Sequence, residues 1–373
     1  MTTKHDLTTA KGLYSYLVAR GDEPNVVESL SGGFANYIYR ATHLNSDQVY
    51  IFRHAASYLS SNKDFQLEPD RIYIEAAVLR AMPDIEKESP STARAVKYFG
   101  RDEKQWLLRL EDGGNCNLKQ AYSDGSLDIR EIAFDLAKWL AYLHSSTLFT
   151  AINVPELNLQ IGEHGNNLIS VKACRYSYNE LGAVFKATGQ DPQLAERINH
   201  EFGSLLATDD ECLCHGDFWP GNVVVGSKIP DHLLPKLTIV DWEMVRRGNS
   251  ATDVGQFAAE AWLLDTFKGN RSLRINFLNA YALARRWATH NPTVKHLAPI
   301  GKKWIRRMTA HFAVHIAFWP TKVPWTTEER TNHIVGLGAS LLRCVLNNDW
   351  EAIQKSFLFE GLSSDWDEAF LGE

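Results

Sequence analysis

Cysteine is scarce in this 373-residue chain: five residues, an odd number, with no disulfide framework to be read from them. A basic surplus is also missing. There are 39 Lys and Arg against 45 Asp and Glu, a formal net charge of −6. A binder of phosphate backbones needs the opposite balance, so nucleic acid is not an expected partner. No stretch reaches the ~18 uncharged apolar residues of a membrane span. The run from Ala258 to Leu264 is too short, and that from His311 to Trp319 carries two histidines. The opening residues are polar and lack the apolar segment of a secretion signal, so the expected compartment is cytoplasmic, without a membrane partner. Cys212, Cys214 and His215 lie close together, but no second Cys/His cluster completes a zinc set. What remains is 45% hydrophobic and 11% aromatic, including eleven Trp. That composition excludes a disordered chain and suits about two folding units of roughly 100–200 residues each.

The residues divide along the chain. Val26 to Leu44 holds two β-rich runs joined by Ser31, Gly32, Gly33, Phe34, Ala35 and Asn36, and Asp47 to Ala55 is a third. A helix is predicted from about Pro69, with Ile72, Ala76 and Leu79 on one face. Ala93 to Gly114 reads as a hairpin ending at a glycine pair. From Ile129 onward helical spacing dominates, as in Ile132, Leu136, Trp139, Leu140 and Leu143. The exceptions are a short strand at Cys212–Cys214 and a hairpin after Asn222. This order predicts an α+β, two-lobed fold with a hinge near Glu111–Gly114: residues 1–112 form a small β-rich lobe and 113–373 a larger helical one.

Chemistry concentrates in two places. His215, Gly216, Asp217 and Asn222 lie between apolar runs, and Asp241-Trp242-Glu243 ends a β-run nineteen residues later. Each Asp or Asn alone fits ordinary turn chemistry. In this order, with strands on both sides, they form a hard-oxygen set suited to Mg²⁺ and phosphate.

HGDxxxxN followed by a strand-terminal DxE resembles the aminoglycoside phosphotransferase and choline kinase superfamily, which has a protein-kinase-like fold. Leu30 to Asn36, Arg53 to Leu59, Asp70 to Leu79 and the DWE triplet are most similar to methylthioribose kinase and its fungal relatives of the 4-hydroxytryptamine kinase kind. The resemblance implies a bilobal small-molecule kinase that uses ATP and Mg²⁺ to phosphorylate a hydroxyl of a small metabolite. A methylthioribose-like sugar and an aromatic hydroxyamine are both candidates. Asp217 would be the catalytic base. Asn222 and Asp241 would hold the metal, with Glu243 a further ligand or a partner behind it. Backbone groups of Ser31, Gly32, Gly33 and Phe34 would cover the phosphates, and the link around Arg109 and Glu111 would face adenine. Arg306 and Arg307 match paired arginines set against substrate and transferred phosphate, although a solvated helix face would look the same. Asp253 would buttress the catalytic loop, with His144 and His215 structural. Arg246 and Arg247 could be solvated or close to phosphate. Oligomeric state stays open.

Arg53 departs from the pattern, since the third strand normally supplies Lys. Glu75 is its implied partner, but Arg71, four residues earlier, offers Glu75 a plain helix-surface pair. A nucleotide-binding pseudokinase is therefore the alternative. Among the Trp residues, Trp106 and Trp139 read as core. Trp219 reads as an acceptor contact, Trp242 as cleft-lining, and Trp304, Trp319 and Trp325 as walls of the acceptor site.

Overall fold

Alternating side chains give the N-terminal sheet two different faces. In the computed structural model, which describes residues 5–30, 35–44, 48–162, 165–228, 234–289, 297 and 299–372, the sheet has five antiparallel strands. These are β1 (Pro24–Ser29), β2 (Tyr37–His43), β3 (Val49–His54), β4 (Tyr98–Asp102) and β5 (Leu107–Glu111), in the order β1-β2-β3-β5-β4. Tyr39, Ala41, Phe52 and Leu107 point to one face and bury against Leu13, Tyr16 and Leu17 of helix α1 (Ala10–Ala19). Leu108 and Leu110 point to the other, where Ile72, Ala76 and Leu79 of α2 (Arg71–Ile85) pack. Arg53 shares that second face because it follows Phe52 by one residue.

Helix α1 was not among the expected elements, although Leu13, Tyr16 and Leu17 stand at helical spacing behind the Thr9 cap, and Trp106 is not core as expected. Trp106 sits in the β4–β5 turn with φ +46° and is 36% exposed, since the turn has lifted it off the sheet.

Beyond the hinge the chain turns helical around a small second sheet. Arg94–Ala95, β8 (Pro235–Ile239), β7 (Val223–Lys228) and Cys116–Asn117 pair in that order. β6 (Cys212–Cys214) pairs with β9 (Arg246–Gly248). Helix α3 (Leu118–Ala121) follows the hinge, then α4 (Ile129–Ser146), α5 (Leu168–Ala187) and α6 (Pro192–Ile198). The core then rests on α7 (Ser250–Phe267), α8 (Leu273–Thr289), α9 (Lys302–Phe318) and α10 (Glu328–Asn347). The expected apolar face of α4, including Trp139, is fully buried. No helix among the described residues is long and apolar enough to cross a membrane.

The helix α7 begins with Asn249 as its cap and carries Asp253 in its first turn. Both oxygens of this buried carboxylate accept backbone N–H groups of the loop after β6, from His215 at 2.8 Å and Gly216 at 3.0 Å. His144 of α4 reaches the same carboxylate at 3.2 Å and Tyr281 of α8 at 2.9 Å. With both ring nitrogens engaged, His144 has no lone pair for a metal beside Cys212 and Cys214. Burial works against ionisation of Asp253, but the His144 contact and the charge of Arg246 outweigh it and lower the carboxyl to about 2. Since the folded value lies below the ordinary 3.8, the stabilisation is complete above the unfolded value and is lost as pH falls through about 2. Asp253→Asn replaces one acceptor with a donor that faces a backbone donor. Its expected cost is about 2–3 kcal/mol, read as a lower melting temperature near neutral pH and a smaller loss relative to wild type in strong acid.

Candidate active site

The two acidic segments meet because both leave short paired strands and turn back at once. After β6, residues 215–219 cross in front of α7, and a single 3₁₀ turn, Pro220–Asn222, leads into β7. After β8, Asp241 adopts left-handed backbone (φ +69°), which Asp tolerates better than most residues, and a second 3₁₀ turn follows at Trp242–Met244. Gly216 (φ +82°) lets the first loop run against the second. A Cβ there would lie 1.9 Å from the Met244 carbonyl oxygen, so no other residue fits.

Asp217 is held from two sides. Asn222 Nδ2 donates to its Oδ2 and to its carbonyl oxygen, each at 2.9 Å, and Gln256 Nε2 of α7 donates to Oδ1 at 2.6 Å. Burial and the nearby charge of Asp241 together push this carboxyl up to about 7. His215 is buried and its pKa is lowered by burial. Its Nδ1 accepts the Asp217 N–H at 3.3 Å and its Nε2 meets the Val240 carbonyl at 3.0 Å, so the ring is neutral with the proton on Nε2.

Across the cleft, Arg53 joins three carboxylates. Its Nη1 reaches Glu75 Oε1 at 3.1 Å, and its Nη2 reaches Asp241 Oδ1 at 2.5 Å and Glu243 Oε2 at 3.1 Å. Burial opposes its charge, but Asp241, Glu75 and Glu243 overcome that and raise its pKa. The competing Arg71–Glu75 surface pair does not form. Arg71 is fully buried and bonds Glu243 Oε2 at 3.1 Å, Asn36 Oδ1 at 2.7 Å and the Glu68 carbonyl at 2.8 Å. Asn36 closes the ring by donating to Glu243 Oε2 at 2.8 Å.

These contacts sort the expected metal ligands. The Asn222 amide oxygen takes no hydrogen bond among the described residues, and the Asp241 side chain remains 31% exposed, so this hard-oxygen pair fits Mg²⁺. Glu243 is different: its side chain is 5% exposed, and one of its oxygens already faces three donors. It anchors the N-terminal sheet and α2 to the second acidic segment, which fits the second of its two expected roles, a partner behind the ligands, better than that of a further ligand.

Other expectations need correction. Arg109 lies in mid-strand, paired with Phe52 on one edge and Gly100 on the other, and its guanidinium stacks 3.6 Å from the Tyr50 ring. The Glu111 N–H donates to the Lys97 carbonyl at 2.9 Å, and its carboxylate pairs with Lys236. The Arg109 backbone and the Glu111 N–H are thus taken up within the sheet, so their placement gives an adenine contact no support. Arg306 pairs with Glu201 and the Val345 carbonyl, and Arg307 with Asp209 and the Phe202 carbonyl. Both guanidinium groups tie α9 to neighbouring segments, so their placement gives no support to a role against substrate. Arg246 and Arg247 are buried, the latter on Asp210 and on the Thr147 and Leu148 carbonyls, so neither is solvated. Trp242 is buried against His215, with ring centroids 4.6 Å apart, and does not line the cleft; Trp304 is buried on Ser250. Ser31, Gly32, Gly33 and Phe34 lie outside the described residues.

Trp219 and Trp325 flank the Lys119 ammonium, at 4.9 and 4.0 Å from their ring centroids. Three residues were missed in the sequence: Gln256, Arg71 and Asn36. Gln256 could have been found from its spacing, three residues after Asp253 and hence on the same helical face.

Residues 26–292 match the Phosphotransferase enzyme family. The chain is 23% identical over 375 residues to 4-hydroxytryptamine kinase of Psilocybe cubensis, covering 95% of this chain and 98% of that protein. It is 24% identical over 353 residues to the namesake of Psilocybe cyanescens, with 89% and 92% covered. Among solved structures, a mutant aminoglycoside 2'-phosphotransferase-IIIa in complex with GDP shares the fold, with TM-score 0.51 at 15% identity over 92% of this chain and 100% of that one. Aminoglycoside phosphotransferase APH(4)-Ia gives TM-score 0.51 at 11% identity, over 91% and 99%. With the family match spanning well over half its length, and with a carboxylate fixed in the loop after β6 facing a second acidic segment, the chain belongs to the Phosphotransferase enzyme family.

Proposed function

We propose that this protein transfers the γ-phosphoryl group of ATP to a hydroxyl of a small aromatic amine of the 4-hydroxytryptamine kind. The observation that carries the reading is the double hold on Asp217: Asn222 and Gln256 fix both of its oxygens, so the carboxylate is aimed without searching rotamers. The acceptor oxygen attacks the γ-phosphorus and its proton passes to Asp217. The new O–P bond forms as the bond from the γ-phosphorus to the β–γ bridging oxygen breaks, and ADP departs with that electron pair. Mg²⁺ held by Asp241 and Asn222 would supply charge neutralisation on the β- and γ-phosphates.

Residues 1–112 serve the nucleotide and 113–373 the acceptor in this reading. Arg53 takes the place of the usual Lys. Its two terminal nitrogens hold the carboxylates and its Nε is buried without a hydrogen-bond partner among the described residues, so its charge, more than a donor already aimed into the cleft, is what it offers to phosphate. The acceptor class is supported by the names of the two fungal relatives and by the indole rings of Trp219 and Trp325 in and near the catalytic loop. A methylthioribose-like sugar loses its main support, since Arg306 and Arg307 are tied to Glu201 and Asp209.

Three outcomes are expected with Mg-ATP and 4-hydroxytryptamine, followed by ADP release and the mass of the product. Asp217→Asn lowers kcat by about 10²–10⁴-fold with little change in the KM for ATP; undiminished turnover removes the reading. Arg53→Lys gives up planar bridging of three carboxylates, so ATP affinity falls by about tenfold and the melting temperature drops. The pseudokinase alternative requires the opposite, a gain of affinity or activity with Lys. Trp219→Ala raises the KM for the acceptor by about tenfold and leaves that for ATP unchanged.

A further inference from the structure

One face of α7 continues past the groups that fix the catalytic loop. Asp253 holds His215 and Gly216, Gln256 holds Asp217, and the next polar residue on that face is Glu260. Glu260 is 6% exposed. Its Oε1 bonds His315 Nε2 of α9 at 2.9 Å, and its Oε2 has no hydrogen-bond partner among the described residues. The nearest charge to that oxygen is the Lys119 ammonium at 3.6 Å, too long for a good hydrogen bond. Lys119 reaches in from α3, and its ammonium stands between the rings of Trp219 and Trp325. A buried carboxylate oxygen behind two indole rings is the chemistry that recognises an organic ammonium ion.

The backbone under Lys119 is fixed independently of its side chain. α3 opens with a reciprocal cap between Asn117 and Gln120, and Asn117 pairs with Val224 of β7, directly after the catalytic loop. The Lys119 side chain is 26% exposed, so its four-carbon stem can swing into water without moving the helix.

We propose that Lys119 fills, in the free protein, an ammonium subsite of the acceptor pocket formed by Glu260, Trp219 and Trp325, and that an acceptor bearing a protonated amine binds by displacing it. The proposal rests on the phosphotransfer reading of the same cleft and adds a specificity-determining residue to it. Lys119 is an internal competitor: it weakens every ammonium ligand by the same factor and leaves neutral ligands nearly untouched. Only cations able to replace both the ring contacts and the charge on Glu260 gain entry.

The test uses the full chain without nucleotide. Calorimetry near neutral pH compares tryptamine, which has no ring hydroxyl to phosphorylate, with its neutral alcohol counterpart tryptophol. Lys119→Met is expected to bind tryptamine about tenfold tighter than wild type, with tryptophol changed less than about twofold. Adding Glu260→Gln should abolish the gain. Wild-type protein supplies a second readout that needs no variant: saturating tryptamine, but not tryptophol, should accelerate chemical labelling of Lys119 as its ammonium moves into water. An unchanged tryptamine affinity in Lys119→Met, an equal gain for tryptophol, or labelling unaffected by tryptamine would each overturn the proposal. Since these measurements involve no transfer step, failure of the kinase reading appears separately, as absence of turnover with any hydroxylated acceptor.

Discussion

The active region depends on a buried exchange of charge between two arginines and three carboxylates. Arg53 on β3 and Arg71 on α2 face Glu75 of the same helix and Asp241 and Glu243 of the segment after β8. Removing these groups from water is costly, and only near-complete pairing offsets it. The arrangement approaches that condition by sharing: one Glu243 oxygen accepts from Arg53, Arg71 and Asn36, while Glu75 also accepts the Trp242 backbone N–H at 3.3 Å. The sheet, the helix and the second acidic segment are thereby fixed to one another by charge, where apolar packing alone would permit sliding. A guanidinium suits this post because its planar fork can address several carboxylates at once.

A second set of contacts fixes the loop that carries Asp217 from the opposite side. The first three turns of α7 present Asp253, Gln256 and Glu260 along one stripe. The first two bind the loop backbone and the Asp217 carboxylate, while the third turns toward the aromatic cluster around Lys119. One rigid helix thus sets the spacing between Asp217 and the aromatic cluster around Lys119.

Much of the architecture was legible because it is written in local patterns. Paired strands, the face of α2 and the apolar stripe of α4 follow from spacing, and the ordered acidic segments pointed to the cleft. Arg53 and Glu75 came instead from the resemblance to the kinase superfamily, whose third strand and helix imply that pair. The misreadings share a physical cause: a single sequence does not show which polar groups the fold will bury. Arg71 looked like a surface partner of Glu75 and is instead enclosed. Arg306 and Arg307 looked like substrate contacts within a basic run, yet α9 spends them on Glu201 and Asp209. Trp242 lies between two acidic residues in sequence and packs under them in space. Gln256 is announced only by its spacing from Asp253, and the role of Asn36 emerges only when the segment before β2 is brought against the second acidic segment.

The contact between Gly216 and Met244 has a mechanical consequence. Where the two loops cross, backbone lies on backbone with no side chain between them, so nothing soft separates the loop that carries Asp217 from the segment that carries Asp241. Rotation of one must carry the other. The two acidic strips then keep their separation, so the distance from Asp217 to Asp241 behaves as a property of the floor, and the sheet tied to that floor through Arg53 follows it.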